Sequence, residues 1–394
     1  MKLDPSVQQL VQDMTAWRHH LHANPEIGFE ETCTAAFIAD HLRAFGLAVV
    51  EGVGGTGVVG TLRGRRGSGR SLGLRAELDA LPIQEIPPHR HASRVPNRMH
   101  ACGHDGHMAM LLGAARALSA SPDFAGTVHF IFQPAEEGLG GAKAMIADQL
   151  FERFPCDEIY AMHNSERPLG VVEVHHGAVA ASADRFIIEL VGKGGHAAYP
   201  HMAVNPLPAA ASLLLALQTL PARVNNTMSP AVVTVASISA GDAFNVIPAS
   251  VRMTGTVRTL DKDTQAALAA AIDRRVQAHA AAESLTARLD YQTLFGVTIN
   301  NPVEADHVIA VARDVVGEEL VVVDPPAEMG SEDFCYMLDE RPGCYFSIGQ
   351  ADDEHGATLH DDKYDFNDRI LPIGASIWVN LVEHRLGGGL AASQ

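Results

Sequence analysis

A thiol, several imidazoles and a carboxylate crowd into one short stretch of the chain, from Met99 to His107. Cys102 and His104 stand two residues apart at the start of a predicted helix. A thiolate and an imidazole at this spacing can face the same ion, and borderline-soft metals accept both. The pattern therefore indicates a metal site, although a free cysteine is also common as an inert buried residue. Asp105 has a simpler explanation as an acid at a helix N-terminus.

Two adjacent carboxylates, Glu136 and Glu137, follow an apolar run and are flanked by Pro134 and Gly138. Neighbouring carboxylates repel each other unless a cation lies close to them. In non-helical backbone their side chains diverge, so one can ligate an ion while the other serves as a general base for an activated water. The alternative interpretation is a solvated acidic loop.

These polar residues follow apolar runs that have the pattern of buried strands. The runs are 72–76, 128–132, 159–162 and 345–349, and they lead into Glu77 and Asp79, into Gln133 to Gly138, into His163 and, across a polar loop, into His360. Ligands in open α/β sheets bind just beyond the carboxyl ends of the strands. We therefore expect these side chains to converge at one edge of a sheet.

Strand and helix patterns alternate on both sides of a block with a different order. Residues 1–181 and 297–394 are predicted to form an α/β layered catalytic domain with a mainly parallel sheet. Residues 182–296 have the order of a smaller inserted α+β domain. The chain is expected to open with a single amphipathic helix, because apolar residues recur at helical spacing from Val7 to Leu21.

Composition limits the class of protein. A chain of 394 residues exceeds the size of one hydrophobic core, and 47% hydrophobic with 19% charged residues is typical of a globular protein. The net charge of -18 argues against nucleic acid and anionic membranes as partners. No run approaches a membrane span or a signal h-region, so a cytoplasmic protein is expected. The odd number of cysteines, five, argues against a disulfide framework.

At these residues the sequence resembles the hippurate hydrolase and indole-acetyl-amino-acid hydrolase subgroup of the dinuclear-metal aminoacylase and carboxypeptidase family. The matching segments are Pro25 to Glu31, Arg75 to Pro82, Met99 to His107, Gln133 to Gly138, Met162 to Asn164, Gly192 to Ala198, Asn245 to Pro248, Met329 to Phe334, and Leu359 with His360. They extend over nearly the whole chain. Cys102, together with Glu77 in place of a histidine two residues before Asp79, favours the hippurate hydrolase branch over standard carboxypeptidases.

The resemblance implies a set of site residues. The implied metal ligands are Cys102, His104, Glu137, His163 and His360, holding divalent ions that would number two per subunit. Glu136 would be the general base, and His196 would polarise the scissile carbonyl in its own or a partner subunit. Asn245 and Arg258 would hold the substrate carboxylate. Asp79 is expected to orient a ligand, with a plain turn residue as the alternative.

The implied activity is hydrolysis of the amide bond in N-acyl amino acids, with the inserted domain acting as a lid and joining a homodimer. Zinc, manganese, nickel and cobalt all suit the ligand types. Three alternatives stay open: a dipeptidase or carboxypeptidase of the same family, a cysteine hydrolase using Cys102, and a metal-binding protein without activity. His107 is expected to have a packing role or to contact a ligand from behind. The histidines left unassigned, mostly as solvated residues, are His19, His20, His22, His89, His91, His175, His176 and His201.

Overall fold

The computed structural model describes residues 1–86, 89–224 and 229–387, which form two compact units. The first comprises Met1–Gly177, Ile299–Pro326 and Asp333–Gln394, and the second comprises Ala178–Thr298 and Ala327–Glu332. The insertion expected at 182–296 lies within the second unit. Residues 388–394, which the expected domain 297–394 includes, lie outside the described part of the chain.

The strands of the described residues are numbered in chain order. They are β1 Ala48–Val53, β2 Gly57–Arg63, β3 Ser71–Glu77, β4 Thr127–Gln133, β5 Glu158–Pro168, β6 Val172–Val174, β7 Ala178–Ala180, β8 Ala183–Val191, β9 Gly195–His196, β10 Ala231–Ser239, β11 Val246–Ile247, β12 Ser250–Thr259, β13 Thr286–Phe295, β14 Thr298–Ile299, β15 Val321–Val323 and β16 Gly343–Ala351.

The α-helices of the described residues are numbered in the same way. They are α1 Pro5–Gln8, α2 Val11–Ala23, α3 Thr32–Ala44, α4 His104–Ala120, α5 Gly141–Ala147, α6 Leu150–Arg153, α7 Leu207–Gln218, α8 Pro221–Val224, α9 Lys262–Ala282, α10 Pro302–Val316, α11 Cys335–Glu340 and α12 Leu371–Leu386. No helix within the described ranges has both the length and the apolar character that crossing a membrane requires.

The first unit is built on an eight-stranded sheet with the order β1-β2-β4-β3-β5-β16-β6-β15. Its centre, β4-β3-β5-β16, is parallel, and β15 pairs with β6 in the same sense. The contacts β1-β2, β2-β4 and β16-β6 are antiparallel. The predicted α/β architecture with a mainly parallel sheet is confirmed. Along these four strands, Asp79 follows β3, Glu136 and Glu137 follow β4, His163 lies within β5, and His360 comes nine residues after β16.

Side chains of this sheet alternate between its two faces, and helices cover both. Phe130 and Phe132 pack into the larger core together with residues of α4, α10 and α12. Ile131 and Ile159 point to the opposite face, where α5, α6 and α11 close a smaller core. Because successive residues of a strand point to opposite faces, strands buried this way are apolar at most positions, with Arg75 and His129 as buried exceptions.

The second unit has a four-stranded antiparallel sheet with the order β10-β12-β8-β13. Inward residues such as Phe186 and Met253 form a separate core with α7 and α9. Residues 327–332 join this unit because the Ala181 amide donates to the carbonyls of Glu328 and Gly330, at 3.1 and 2.8 Å. Nothing in the local sequence predicts that residues 327–332 belong to the second unit.

The single N-terminal helix expected from Val7 to Leu21 is wrong, because the structure has two helices there. The Asp4 carboxylate caps α1 by accepting from the amides of Ser6 and Val7, at 2.8 and 3.2 Å. At Leu10 the amide donates to the Val7 carbonyl three residues back, and the backbone has φ -100° and ψ 2°. The tightened turn at Leu10 ends the first helix before α2 begins.

Candidate metal centre

The turn into α4 brings two candidate ligands against the end of β5. Gly103, between Cys102 and His104, has φ +90°, a conformation that glycine adopts at little cost. A Cβ atom at Gly103 would come within 2.2 Å of the Asn164 side-chain oxygen. Because no side chain separates the turn from β5, the Cys102 Sγ atom lies only 3.4 Å from the Nε2 atom of His163.

Cys102, His104 and His163 form a first group of possible ligands, all buried, whose ligand atoms lie within 4.8 Å of one another. The Nδ1–H of His104 donates to the Asp79 carbonyl at 2.8 Å, and that of His163 donates to the Asn164 carbonyl at 2.7 Å. Such contacts fix the ring so that Nε2 faces a metal ion. The His104 Nε2 atom is buried and has no hydrogen-bond partner among the described residues.

Cys102, Glu137 and His360 form a second group with the same spacing. The His360 Nε2 atom lies 3.4 Å from Glu137 Oε1, and the His360 amide donates to the Ala101 carbonyl at 2.8 Å. The His360 side chain is 52% exposed, so this side of the centre is open to solvent. The two groups share the Cys102 sulfur and together contain all five predicted ligands.

Asp79 lies behind both groups. Its Oδ2 atom accepts from the Glu137 amide at 2.9 Å, and its Oδ1 atom lies 3.4 Å from His104 Nδ1. The side chain is fully buried. Asp79 thus contacts one residue of each group, which a turn residue would not need to do.

Glu136 is 7% exposed and directly precedes Glu137 after β4. The residue before it, Ala135, has φ +53°, and its amide donates to the buried Glu31 carboxylate at 2.8 Å. The Thr56 hydroxyl donates to the other Glu31 oxygen at 2.6 Å. Burial raises the pKa of Glu31 above its ordinary value. Glu31 therefore holds the backbone of the turn that aims Glu136, a role that the sequence alone did not reveal.

His107 lies one turn along α4 from His104, but both of its ring nitrogens already have protein partners. Its Nδ1–H donates to Glu77 at 2.8 Å, and its Nε2 accepts from the Asn164 amide at 3.0 Å. Glu77 is paired with Arg75 as well. His107 therefore supports the centre from behind and has no nitrogen left to bind an ion.

Burial and neighbouring charges shift the pKa values of several residues of the centre. Burial, reinforced by the charge of Glu137, raises the pKa of the Cys102 thiol. Burial lowers the pKa of His163 to about 3. Burial alone would raise the pKa of Glu137, but hydrogen bonding to His360 and the charge of His104 bring it below its ordinary value. A thiol becomes a ligand by losing its proton, and a cation stabilises the resulting thiolate.

The remaining candidate residues belong to the second unit. His196 is exposed on β9, opposite Val246 on β11, and its Nδ1 atom accepts from the Ala198 amide at 3.0 Å. The Asn245 carbonyl accepts from the Ala197 amide at 3.0 Å, so His196 and Asn245 lie near each other. Arg258 is on β12, where the charge of Asp184 acts on it.

Two of the histidines predicted to be mostly solvated are buried instead. His22 is completely buried, with Nδ1 2.8 Å from Asp105 and Nε2 3.3 Å from Glu85, and His175 is 7% exposed. His89 and His91 are only partly exposed. The partners of His22 are 83 and 63 residues away in the sequence, which is why its burial was not predicted. The His-x-His spacing at residues 89–91 was the feature of the sequence that could have indicated a histidine cluster.

The model of Peptidase family M20/M25/M40 matches residues 73–384. The chain belongs to this family. Hippurate hydrolase of Campylobacter jejuni is 39% identical to this M20 protein over 384 residues, covering 97% of the chain and 98% of that relative. The IAA-amino acid hydrolase ILR1-like 2 of Arabidopsis thaliana is 38% identical over 375 residues, covering 93% of the chain and 84% of that relative.

Among solved structures, the M20 protein is similar to YXEP of Bacillus subtilis, a dinuclear metal binding peptidase from the M20 family. The TM-score is 0.82 at 29% sequence identity, covering 95% of the chain and 98% of that structure. The resemblance stated from the sequence is confirmed, and so is the coarser functional prediction of a metal-dependent hydrolase.

Proposed function

We propose that this M20 protein is an amidohydrolase that cleaves the amide bond of N-acyl amino acids. The observation that carries the proposal is the pair of ligand groups that share Cys102, with Glu136 directly beside the ligand Glu137. The family membership and the two relatives, a hippurate hydrolase and an IAA-amino acid hydrolase, support the substrate class.

Cys102, His104, Glu137, His163 and His360 would hold two divalent ions. The buried, unpartnered Nε2 atom of His104 fits this role, because an imidazole nitrogen excluded from water needs a proton donor or a metal. Zinc, manganese, cobalt and nickel suit this mixed donor set. Divalent ions bound there acidify water and polarise the amide carbonyl.

The side chain of Glu136 would accept the proton of the attacking water and then deliver it to the leaving nitrogen. Its low exposure keeps bulk water from competing for that proton. His196 would donate to the carbonyl oxygen as negative charge develops on it, a contact of a kind worth about 2.7 to 4 kcal/mol. Asn245 and Arg258 would bind the substrate carboxylate. The second unit would then act as a lid and, in a homodimer, place His196 in its own or the partner's site.

A cysteine hydrolase is a weaker candidate, because a cysteine nucleophile needs a lowered pKa. In this structure burial raises the pKa of Cys102. A dipeptidase or carboxypeptidase would use the same centre, so substrate choice has to separate it from a deacylase. A purely metal-binding protein would have no use for a general base beside the ligands.

The decisive experiment measures amine release from N-benzoyl, N-acetyl and N-(indole-acetyl) amino acids and from dipeptides. The protein is stripped by a chelator and reloaded separately with zinc, manganese, cobalt or nickel. We expect turnover to vanish on stripping, to return with metal and to be highest on an N-acyl amino acid. Highest turnover on dipeptides would assign a peptidase instead, and metal binding without turnover on any amide would contradict the proposal.

Glu136→Gln tests the general base. The glutamine side chain would keep the volume of the glutamate but could not accept a proton, so kcat should fall by about 10² to 10⁴. Metal content, measured by elemental analysis, should stay at the wild-type value. The exposed Glu152→Gln is the matched control and should retain full activity. Wild-type turnover by the Glu136 variant would remove this residue from the mechanism.

A further inference from the structure

A second cluster of imidazoles and carboxylates lies in the first unit, outside the candidate metal centre. It contains two groups of three residues that share His89. The groups are His22 with Glu85 and His89, and His89 with His91 and Asp365. Within each group, one ligand atom of every residue lies within 4.8 Å of the others. This spacing is the same as in the centre around Cys102, although this cluster has no thiol.

The side chains of the cluster converge on His89. Its Nε2 atom lies 3.1 Å from Glu85 Oε1 and 3.9 Å from Asp365 Oδ1. The His91 Nε2 atom lies 3.0 Å from the same Asp365 oxygen. The rings of His89 and His91 stack with centroids 4.0 Å apart and planes 17° apart. The Nε2 atoms of both rings therefore face one carboxylate.

Carboxylates outnumber guanidinium groups in this region by four to one. The carboxylates are Glu85, Asp105, Asp365 and Asp368, and the guanidinium that contacts three of them is that of Arg18. A divalent cation bound among these side chains would add two positive charges beside the four carboxylates.

The cluster is accessible and has room for water ligands. His89 and Asp365 line a cavity of about 210 Å³, together with His355 and Lys363. The side chain of His89 is 12% exposed and that of Asp365 is 20% exposed, so both are held in place and still reachable from solvent. Two imidazoles and a carboxylate suit zinc, cobalt or nickel better than magnesium or calcium, which prefer oxygen ligands.

We propose that His89, His91 and Asp365 bind a divalent transition-metal ion at a site separate from the centre around Cys102, with Glu85 as a further ligand. The site does not depend on the proposed function. Asp365 follows His360 by five residues in the same loop. An ion at this site joins the segment of His89 and His91 to the loop that carries His360, and so stabilises the open side of the catalytic centre.

Cobalt(II) alone is a suitable probe, because its visible d–d absorption reports the bound ion directly, and the background variant removes two of the proposed ligands of the centre around Cys102. The chelator-stripped, full-length Cys102→Ser/His104→Ala protein is titrated with cobalt(II), and bound metal is counted after removal of the free ion. The count is repeated after adding His89→Ala and His91→Ala. We expect the added substitutions to lower the cobalt count by about one ion per chain and to remove the d–d absorption of that ion.

The control adds His41→Ala and His279→Ala to the same background, because both histidines hydrogen-bond to helical carbonyl groups rather than face the cluster. It should leave the count unchanged. If the His89/His91 variant fails to fold, Asp365→Asn replaces it and should weaken cobalt binding at the same site. Equal cobalt counts with and without these substitutions would overturn the proposal and leave the cluster as an ion-pair network.

Discussion

At the residue scale, the carboxylate of Asp79 lies against one residue of each ligand group. One oxygen accepts from the Glu137 amide at 2.9 Å, and the other lies 3.4 Å from His104 Nδ1. An amide at position 79 would turn its NH2 group toward one of these donors. Such contacts keep metal ligands in their orientation. Replacing the carboxylate of Asp79 should therefore lower metal affinity more than it lowers the stability of the fold.

We therefore expect Asp79→Asn to weaken metal binding by about 10- to 100-fold. Competition with a chromophoric chelator measures the change directly. Asp123→Asn, an exposed aspartate paired with Arg66, is the control and should bind metal as the wild type does. Wild-type affinity in the Asp79 variant would show that the aspartate is only a turn residue.

Glu31 is the second residue whose role is to position another. Glu31→Ala removes the acceptor of the Ala135 amide and frees the turn at φ +53° before Glu136. Misplacing a catalytic group by about 1 Å can cost about 10²-fold, so kcat should fall toward that extent. Glu31→Gln keeps an acceptor oxygen and should restore most of kcat. If both variants had the same kcat, the hydrogen bond to Ala135 would not matter for catalysis.

The five candidate ligands were predicted from the family resemblance, and the apolar runs before Glu137, His163 and His360 led us to expect these side chains at one edge of a sheet. The structure brings all of them together, as the rule for parallel strands requires. The sequence could not predict the cluster around His89, because His89 and its partner Asp365 are 276 residues apart in the chain. Glu31 was hidden for the same reason, since its partner Ala135 lies on another element.

At the scale of elements, the turn from Cys102 into α4 depends on the absence of a side chain at Gly103. Gly103→Ala would add a Cβ atom 2.2 Å from the Asn164 oxygen in a backbone with φ +90°. The φ strain and the overlap each cost about 1 to 3 kcal/mol. The turn would have to move away from β5, and the Cys102 to His163 distance of 3.4 Å would increase.

Urea unfolding followed by tryptophan fluorescence measures this effect. Gly46→Ala is the matched control, because Gly46 also has a positive φ, +86°, but has no atom within 4 Å of the added Cβ. Both variants should lose stability, and Gly103→Ala should lose more and also bind metal less tightly. Equal losses for the two glycines would mean that the turn tolerates the contact with Asn164.

Elements were easiest to predict where apolar periodicity was long and uninterrupted. The apolar runs 72–76 and 128–132 lie within β3 and β4, one residue short of each strand end. The break between α1 and α2 was missed, because the apolar spacing from Val7 to Leu21 continues through it. There the tight turn at Leu10 decides the structure, and it leaves no trace in the apolar pattern.

At the scale of the whole molecule, the two units can be followed separately. Both tryptophans, Trp17 and Trp378, belong to the first unit, which also contains every proposed metal ligand. The far-ultraviolet circular dichroism signal reports on both units, since each contains long helices such as α4 and α9. Comparing the two signals therefore shows which unit a ligand stabilises.

Chelation should lower the unfolding midpoint of the first unit and leave that of the second unchanged. An ion that binds only the folded state contributes about 2.7 kcal/mol when its free concentration is 100 times its Kd. The tryptophan transition of metal-loaded protein should thus move to lower urea on adding a chelator. The dichroism signal should also show the unfolding of the second unit, which tryptophan fluorescence does not report. The urea midpoint of that transition should stay unchanged.

The Cys102→Ser/His104→Ala protein supplies the control for this comparison, because it lacks two of the proposed ligands of the centre around Cys102. Its tryptophan midpoint should start lower and respond less to the chelator, and the response that is left should depend on His89 and His91. A chelator shift of equal size in both signals would mean that the units unfold together. No shift in either signal would mean that the ions contribute nothing to the stability of the fold.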